Sequence, residues 1–141
     1  MTYEEYLDKN GVMTYTNRGT SMLPLLKQGR DLFTVRKKGA QRCKKYDVVL
    51  YRRPPDKYVL HRIVEVRSDS YVILGDNCLN KEFGITDDDI IGVMTGYVRK
   101  GKEHNIKEFG YWLYSRYIVA FHPFRVLEYR LKRFAKKIIG K

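Results

Sequence analysis

Five short segments rich in valine, isoleucine, tyrosine and phenylalanine constrain the fold of this chain most, because these residues favour β-strands. They are Leu32–Val35, Asp47–Arg52, Tyr58–Arg67, Ser70–Leu74 and Ile90–Val98. Turn-forming residues separate the segments, and the short turn between the third and the fourth predicts a hairpin. The first hundred residues are therefore predicted to form a mostly β body.

Two other segments carry helix signals. Thr2 and Glu5 have the spacing of a capping box, which predicts a short helix that runs to Lys9 and ends at Asn10–Gly11. Near the C-terminal end, apolar residues recur every three or four positions and predict a helix that begins at Pro123. These apolar residues are Phe124, Leu127, Leu131, Phe134 and Ile138.

The charge of the chain is concentrated toward its C-terminal end. Its 141 residues include 28 Lys and Arg against 16 Asp and Glu, and the segment from Arg99 onward holds 12 basic and 3 acidic residues. We divide the chain into a β domain, residues 1–100, and a tail, residues 101–141. In the tail a polar connector, Gly101–Asn105, precedes the basic amphipathic helix. This charge predicts attraction to an anionic partner, either a phosphate backbone or a lipid surface.

Two interpretations of the amphipathic helix stay open. In the first, its apolar stripe packs on the β body and its basic side faces solvent. In the second, the helix associates peripherally with an anionic membrane, where each nearby Lys or Arg contributes about 1 kcal/mol. Nucleic acid is the less favoured partner, because an aromatic segment such as the one around Trp112 more often serves packing than base stacking.

Several classes of protein are disfavoured. The longest uncharged stretch, Ile90–Val98, is far shorter than the ~20 apolar residues that cross a bilayer. The N-terminus is acidic and lacks an apolar signal region, so we expect a cytoplasmic location. Cys43 and Cys78 have no partners at metal-ligand spacing, and no glycine-rich phosphate loop occurs. We therefore expect neither a metal nor a cofactor.

The stretch from Gly19 to Pro24 contains the best candidate for a nucleophile. A reactive serine needs an exposed hydroxyl and nearby backbone N–H groups, and Ser21 follows a glycine-containing turn. An ordinary surface loop uses the same residue types, so this stretch alone does not decide between the two.

A serine hydroxyl also needs a base to take its proton. Of the three histidines, His104 and His122 are expected at the surface, whereas His61 lies within a predicted strand. It is either a satisfied core histidine or the base. A base needs a group that fixes its tautomer, and both Asp76, at the end of the neighbouring strand, and Glu82 are candidates.

Four sequence blocks, in this order, resemble the motifs of type I signal peptidases and of the self-cleaving SOS and phage repressors in the same superfamily. They are Gly19-Thr20-Ser21-Met22-Leu23-Pro24-Leu25-Leu26, His61-Arg62-Ile63-Val64, Gly75-Asp76-Asn77 and Ile90-Ile91-Gly92. The segment Lys45-Tyr46-Asp47-Val48-Val49-Leu50-Tyr51, between the first two blocks, also belongs to the match. The resemblance covers residues 15 to 98 and implies the coiled, mostly antiparallel β body of that superfamily.

The resemblance also implies roles for individual residues. Ser21 matches the nucleophile. His61 stands at the position of the general base, which is a lysine in bacterial members and a histidine in the endoplasmic-reticulum branch. Asp76 matches the Gly-Asp-Asn motif, and Glu82 is the alternative orienting carboxylate. The expected activity is that of a serine endopeptidase that cleaves an extended peptide or a leader sequence. The alternative is a catalytically degenerate, non-enzymatic module that binds a membrane surface or nucleic acid through its basic tail.

Overall fold

Antiparallel β structure dominates the computed structural model, which describes residues 1–140. The strands are β1 (Val12–Thr16), β2 (Leu32–Lys37), β3 (Val48–Arg53), β4 (Lys57–Val66), β5 (Tyr71–Leu74), β6 (Glu82–Ile85), β7 (Ile90–Arg99) and β8 (Lys102–Asn105). The helices are α1 (Tyr3–Asn10), α2 (Phe109–Ala120) and α3 (His122–Ile139). The prediction of a mostly β fold with a short N-terminal helix is confirmed.

The eight strands form one sheet in which every pair is antiparallel. Their order is β1-β2-β7-β3-β4-β5-β6, and β8 pairs with β7 beside this path. Irregularities in the register occur between β2 and β7, β3 and β7, β4 and β5, and β5 and β6. Such bulges increase the local twist, so they curve the sheet around the apolar residues that it encloses.

The N-terminal helix has the ends that its sequence predicts. The Glu5 N–H donates to Thr2 Oγ1 at 3.1 Å, and the Thr2 N–H donates to Glu5 Oε2 at 3.2 Å, which completes the capping box. Gly11 follows the helix with a φ of 78°, a left-handed conformation that glycine adopts without steric cost.

The segment Gly101–Asn105, which we predicted to be a connector, belongs instead to the sheet. A tight turn with positive φ at Lys100 and Gly101 joins β7 to β8, and Asn105 pairs with Gly96. Two consecutive positive φ angles are the geometry of a two-residue hairpin. The polar residues of β8 hide this strand in the sequence, because it gains its backbone partners from a neighbour and buries few side chains.

The first terminal helix, which the sequence did not predict, packs on the sheet through a buried polar network. Arg62 on β4 forms an ion pair with Asp76, with nitrogen–oxygen distances of 2.8 and 2.9 Å. From α2, the Tyr111 hydroxyl accepts a hydrogen bond from Arg62 at 3.0 Å, and the Tyr114 hydroxyl donates to Asp76 at 2.7 Å. Buried charges require such partners, so α2 completes this part of the interior.

The two terminal helices differ in how much of their apolar surface they bury. The five apolar residues that we predicted to form one stripe on α3 are between 53% and 64% exposed. The stripe therefore does not pack on the β body. None of the helices within residues 1–140 has the length and apolar composition needed to cross a membrane.

Candidate active site

A cleft of about 870 Å³ contains both Ser21 and His61 among its lining residues. Strand β4 contributes His61, and the loop between β1 and β2 contributes Ser21. The segment after β5 adds Asn77 and Cys78, and Glu82 begins β6. The cleft thus collects residues from distant parts of the chain.

Asn77 holds the Ser21 loop in place with two hydrogen bonds. The Asn77 N–H donates to the Ser21 carbonyl oxygen at 2.8 Å, and the Asn77 side-chain amide donates to the Thr20 carbonyl oxygen at 3.1 Å. The next residue, Met22, is fully buried, whereas Ser21 itself is partly exposed. The loop is therefore anchored on both sides of a serine that solvent can reach.

Gly75 allows the Ser21 loop and His61 to approach each other. A Cβ on Gly75 would lie 2.8 Å from the Ser21 carbonyl oxygen, 2.9 Å from His61 Nε2 and 2.6 Å from Cys78 Sγ. Cβ atoms do not come that close to other heavy atoms. A glycine at this position is thus what lets the Nε2 edge of His61 face the Ser21 segment.

Tyr51 links His61 to Glu82. Its hydroxyl lies 3.3 Å from His61 Nδ1 and 2.7 Å from Glu82 Oε1. A carboxylate only accepts, so the single hydroxyl proton of Tyr51 goes to Glu82, and the Tyr51 oxygen then accepts from Nδ1–H. This arrangement fixes the tautomer of His61 in which Nε2 has a free lone pair.

His61 is kept neutral in the cleft. Its burial, and after that the positive charge of Arg53, lower its pKa to about 4 against the opposing effects of Glu82 and Asp76. An imidazole with that pKa has a free lone pair throughout the physiological range. It can therefore accept a proton from a hydroxyl without first losing one.

Glu82 is held as a carboxylate at the side of the cleft. Its partial burial favours the neutral acid, but the hydrogen bonds from Arg53 and Tyr51 outweigh burial and lower its pKa. Arg53 donates to Glu82 Oε1 at 2.7 Å and to the Tyr51 hydroxyl at 3.3 Å. The negative charge is thus one hydroxyl away from the imidazole.

Asp76 lies apart from the other three predicted site residues. Both of its carboxylate oxygens accept from Arg62, and one also accepts from Tyr114. The side chains of Arg62 and Asp76 are each 1% exposed, behind the wall of the cleft. Ser21, His61 and Glu82 thus line one cleft, whereas Asp76 lies in the contact between the sheet and α2.

The other two histidines lie outside the cleft. His104 on β8 pairs with Glu108 at 2.9 Å, and its ring stacks on Tyr97. The prediction that His122 is at the surface is wrong, because this residue is only 7% exposed and its Nε2 lies 2.9 Å from the Leu79 carbonyl oxygen. His122 precedes Pro123 in the first turn of α3, where the helix meets the segment after β5.

We assigned no role in this site to Tyr51, Arg53 or Cys78 from the sequence, and Gly75 entered only as the first residue of the Gly75-Asp76-Asn77 block. For Tyr51 a signal was present in the hairpin formed by β3 and β4. Their register pairs Val49 with His61 and Tyr51 with Val59, so Tyr51 is the diagonal neighbour of His61 on one face.

No protein-family model matches this chain, and no curated protein matches it.

Proposed function

We propose that this protein is a serine endopeptidase of the histidine-type signal peptidase kind, with Ser21 as the nucleophile and His61 as the general base. The observation that carries the proposal is the shared cleft, in which Gly75 lets the free Nε2 of His61 face the Ser21 segment. The four sequence blocks that resemble the superfamily support the same assignment.

In the proposed reaction, His61 Nε2 takes the hydroxyl proton of Ser21 while the Ser21 oxygen bonds to the carbonyl carbon of the scissile peptide. The imidazolium then gives that proton to the departing amine, and the C–N bond breaks. Water repeats the two steps on the ester and regenerates Ser21. Tyr51 and Glu82 act as positioning residues, because they hold the Nδ1 side of His61.

Backbone groups near Ser21 supply the stabilisation of the oxyanion in this proposal. Among residues 1–140, no group accepts a hydrogen bond from the Ser21 N–H. A free N–H beside the nucleophile is the kind of donor that binds the developing negative charge. We assign it that role.

The substrate is proposed to be a peptide or protein segment in extended form. The cleft runs past Tyr15 and Thr16 at the end of β1, and β1 pairs with β2 alone in the described sheet. An unpaired strand edge beside a reactive serine allows the substrate backbone to add as a further strand. Side-chain pockets of the cleft would then select residues near the scissile bond.

The test is mass spectrometry of a library of extended peptides after incubation with the protein, Ser21→Ala and His61→Ala. We expect cleavage by the wild type and none by these two variants, because losses on removal of a residue from such a catalytic unit reach ~10⁶-fold. Ser68→Ala and His104→Ala are the matched controls, since Ser68 is an exposed turn residue and His104 lies on β8. Both should cleave as the wild type does.

Two results would contradict the proposal. Near-normal cleavage by Ser21→Ala or His61→Ala would remove that residue from the mechanism. Binding of library peptides without any cleavage would favour the alternative, a degenerate module that retains the cleft and not the reaction.

A further inference from the structure

Helix α3 presents an apolar stripe that the rest of the described chain leaves exposed. The stripe consists of Phe124, Leu127, Leu131, Phe134 and Ile138, each more than half exposed. Aromatic contacts extend it back across the junction of the two helices, because Tyr117 packs against Phe121 and Phe121 against Phe124. A contiguous exposed apolar surface of this kind marks an interaction site.

The base of this helix is fixed to the segment that lines the cleft. His122 contacts the Leu79 carbonyl oxygen at 2.9 Å, and Arg125 donates to the main-chain carbonyl of Asp76. Leu79 is itself a lining residue of the cleft. The first turn of the helix that carries the stripe is therefore attached to one rim of the candidate active site.

The charge of the helix restricts what can cover the stripe. Six basic residues lie on α3 with a single acid, Glu128, which pairs with Lys132 at 2.8 Å. The basic residues are Arg125, Arg130, Lys132, Arg133, Lys136 and Lys137. With 3.6 residues per turn, Arg130 and Lys137 flank the stripe, and the other four basic residues lie on the opposite side of the helix. The helix therefore has one apolar face and one strongly basic face.

Three kinds of occupant can be compared on these grounds. A second copy of the chain would bring two sets of like charges together at the interface, which is unfavourable. Nucleic acid would neutralise the charges and leave the stripe in water. An anionic lipid surface can accommodate both the apolar stripe and the basic residues, because the acyl region receives the apolar side chains and the headgroups attract the basic ones.

We propose that α3 docks on an anionic lipid surface, with its apolar stripe in the boundary between headgroups and acyl chains. The bilayer then contacts the face of α3 opposite to His122 and Arg125, the two residues that attach the helix to the segment after β5. The inference stands independently of the proposed peptidase activity.

Flotation with vesicles tests this proposal on the full chain. We expect binding to vesicles of phosphatidylcholine mixed with phosphatidylglycerol, no binding to phosphatidylcholine alone, and weaker binding as salt is added. Combined Lys132→Gln, Lys136→Gln and Lys137→Gln should weaken binding by about a hundredfold. The control with the same charge change is Lys9→Gln, Lys44→Gln and Lys102→Gln, three exposed lysines elsewhere, and it should bind almost as the wild type does.

A second variant separates the apolar contribution. Leu127→Ser, Leu131→Ser and Phe134→Ser together change only exposed side chains, so the fold is retained, and vesicle binding should fall at least about tenfold. Equal binding to neutral vesicles, or equal effects of the two lysine variants, would overturn the proposal. So would the absence of vesicle binding combined with a concentration-dependent dimer or with lysine-dependent DNA binding.

The same assay keeps this proposal separate from the proposed function. Ser21→Ala should bind the vesicles as the wild type does, because Ser21 lies in the cleft and not on α3. Vesicle binding without any peptide cleavage would contradict the peptidase and leave the docking surface supported. Peptide cleavage without vesicle binding would contradict the docking surface and leave the peptidase supported.

Discussion

The Nδ1 atom of His61 faces the hydroxyl of Tyr51 at 3.3 Å, and through that hydroxyl it is linked to Glu82. A tyrosine therefore stands where the familiar serine hydrolase triad has a carboxylate in direct contact with histidine. The hydroxyl fixes the tautomer equally well, but it carries no charge itself. The negative charge that would stabilise a protonated His61 is then that of Glu82, which is linked to the imidazole through the Tyr51 hydroxyl.

Removal of the Tyr51 hydroxyl should lower kcat and leave KM nearly unchanged. Tyr51→Phe keeps the ring and its packing but loses hydrogen bonds to His61 and Glu82 that are together worth about 1.5–3 kcal/mol, which corresponds to a loss of roughly 10- to 150-fold. Steady-state kinetics on a cleaved peptide would measure this. Tyr71→Phe is the control, because Tyr71 is a buried tyrosine whose hydroxyl bonds to Cys43 and Asp87 outside the cleft. An unchanged kcat in Tyr51→Phe would show that catalysis does not depend on the hydrogen bonds that link His61 to Glu82 through Tyr51.

The two carboxylates that we singled out from the sequence should behave differently when neutralised. Asp76→Asn removes one partner of a buried ion pair and should cost about 3–5 kcal/mol of unfolding free energy. Glu82→Gln disturbs a partly exposed pair with Arg53, worth at most about 1 kcal/mol, and should lower kcat instead. Urea unfolding and peptide kinetics on both variants would separate the effects. The reverse result, a stable but inactive Asp76→Asn protein, would assign the orienting role to Asp76.

A methyl group at Gly75 should disrupt the site through steric contact alone. Gly75→Ala would place its Cβ within 3 Å of the Ser21 carbonyl oxygen and His61 Nε2, so one of these two segments must move. Because small displacements of reacting groups are costly, we expect at least about a hundredfold loss of kcat/KM. Gly39→Ala is the matched change, since a Cβ there meets nothing within 4 Å. Equal activity of both variants would show that the cleft tolerates the shift.

The pH dependence of cleavage should report the low pKa of His61. The proposed reaction needs neutral His61, so kcat/KM should stay level from neutral pH downward and fall only as the pH approaches about 4. Arg53→Gln removes a positive charge that lowers this pKa, so the acid limb should move to higher pH. Arg52→Gln is the control, because Arg52 points to Glu4 outside the cleft. An acid limb near pH 6.5 in the wild type would contradict the assignment of a desolvated His61.

The free energy of unfolding should also depend on the protonation of His61, and it should decrease as the pH falls. The folded pKa of His61, about 4, lies below the ordinary histidine value of 6.5, so the unfolded chain binds a proton more readily between these values. The contribution is complete above pH 6.5 and should decrease by about 3 kcal/mol as the pH falls to about 4. Urea unfolding of the wild type and of His61→Gln across this range would measure the difference. Identical slopes in the two proteins would contradict the burial effect.

The sequence predicted well those features that depend on neighbouring residues. The capping box of α1 needs only Thr2 and Glu5, and both of its hydrogen bonds form. Asp76 is different, because whether its carboxylate meets His61 or Arg62 depends on how α2 packs against the sheet. A motif names such a residue without telling which neighbour it faces.

The amphipathic helix shows a second limit of sequence analysis. A stripe with a period of three or four residues is the same whether it packs on a protein body or meets a different surface. Only the placement of α3, with Leu131 58% exposed, separates the two interpretations. The strand β8 was missed for a related reason, since a hairpin partner and not side-chain hydrophobicity holds it.

The ion pair between Arg62 and Asp76 has a consequence for anyone who wants a smaller scaffold from this fold. Two tyrosine hydroxyls from α2 complete the pair, so a sheet without the helices would keep a charged interior whose hydrogen-bonding partners are missing. Trimming the helices would therefore have to be accompanied by exchange of both charged residues for apolar ones of similar volume, a replacement that proteins often tolerate. Although α2 packs on the outside of the sheet, its tyrosine hydroxyls are thus part of the buried polar interior.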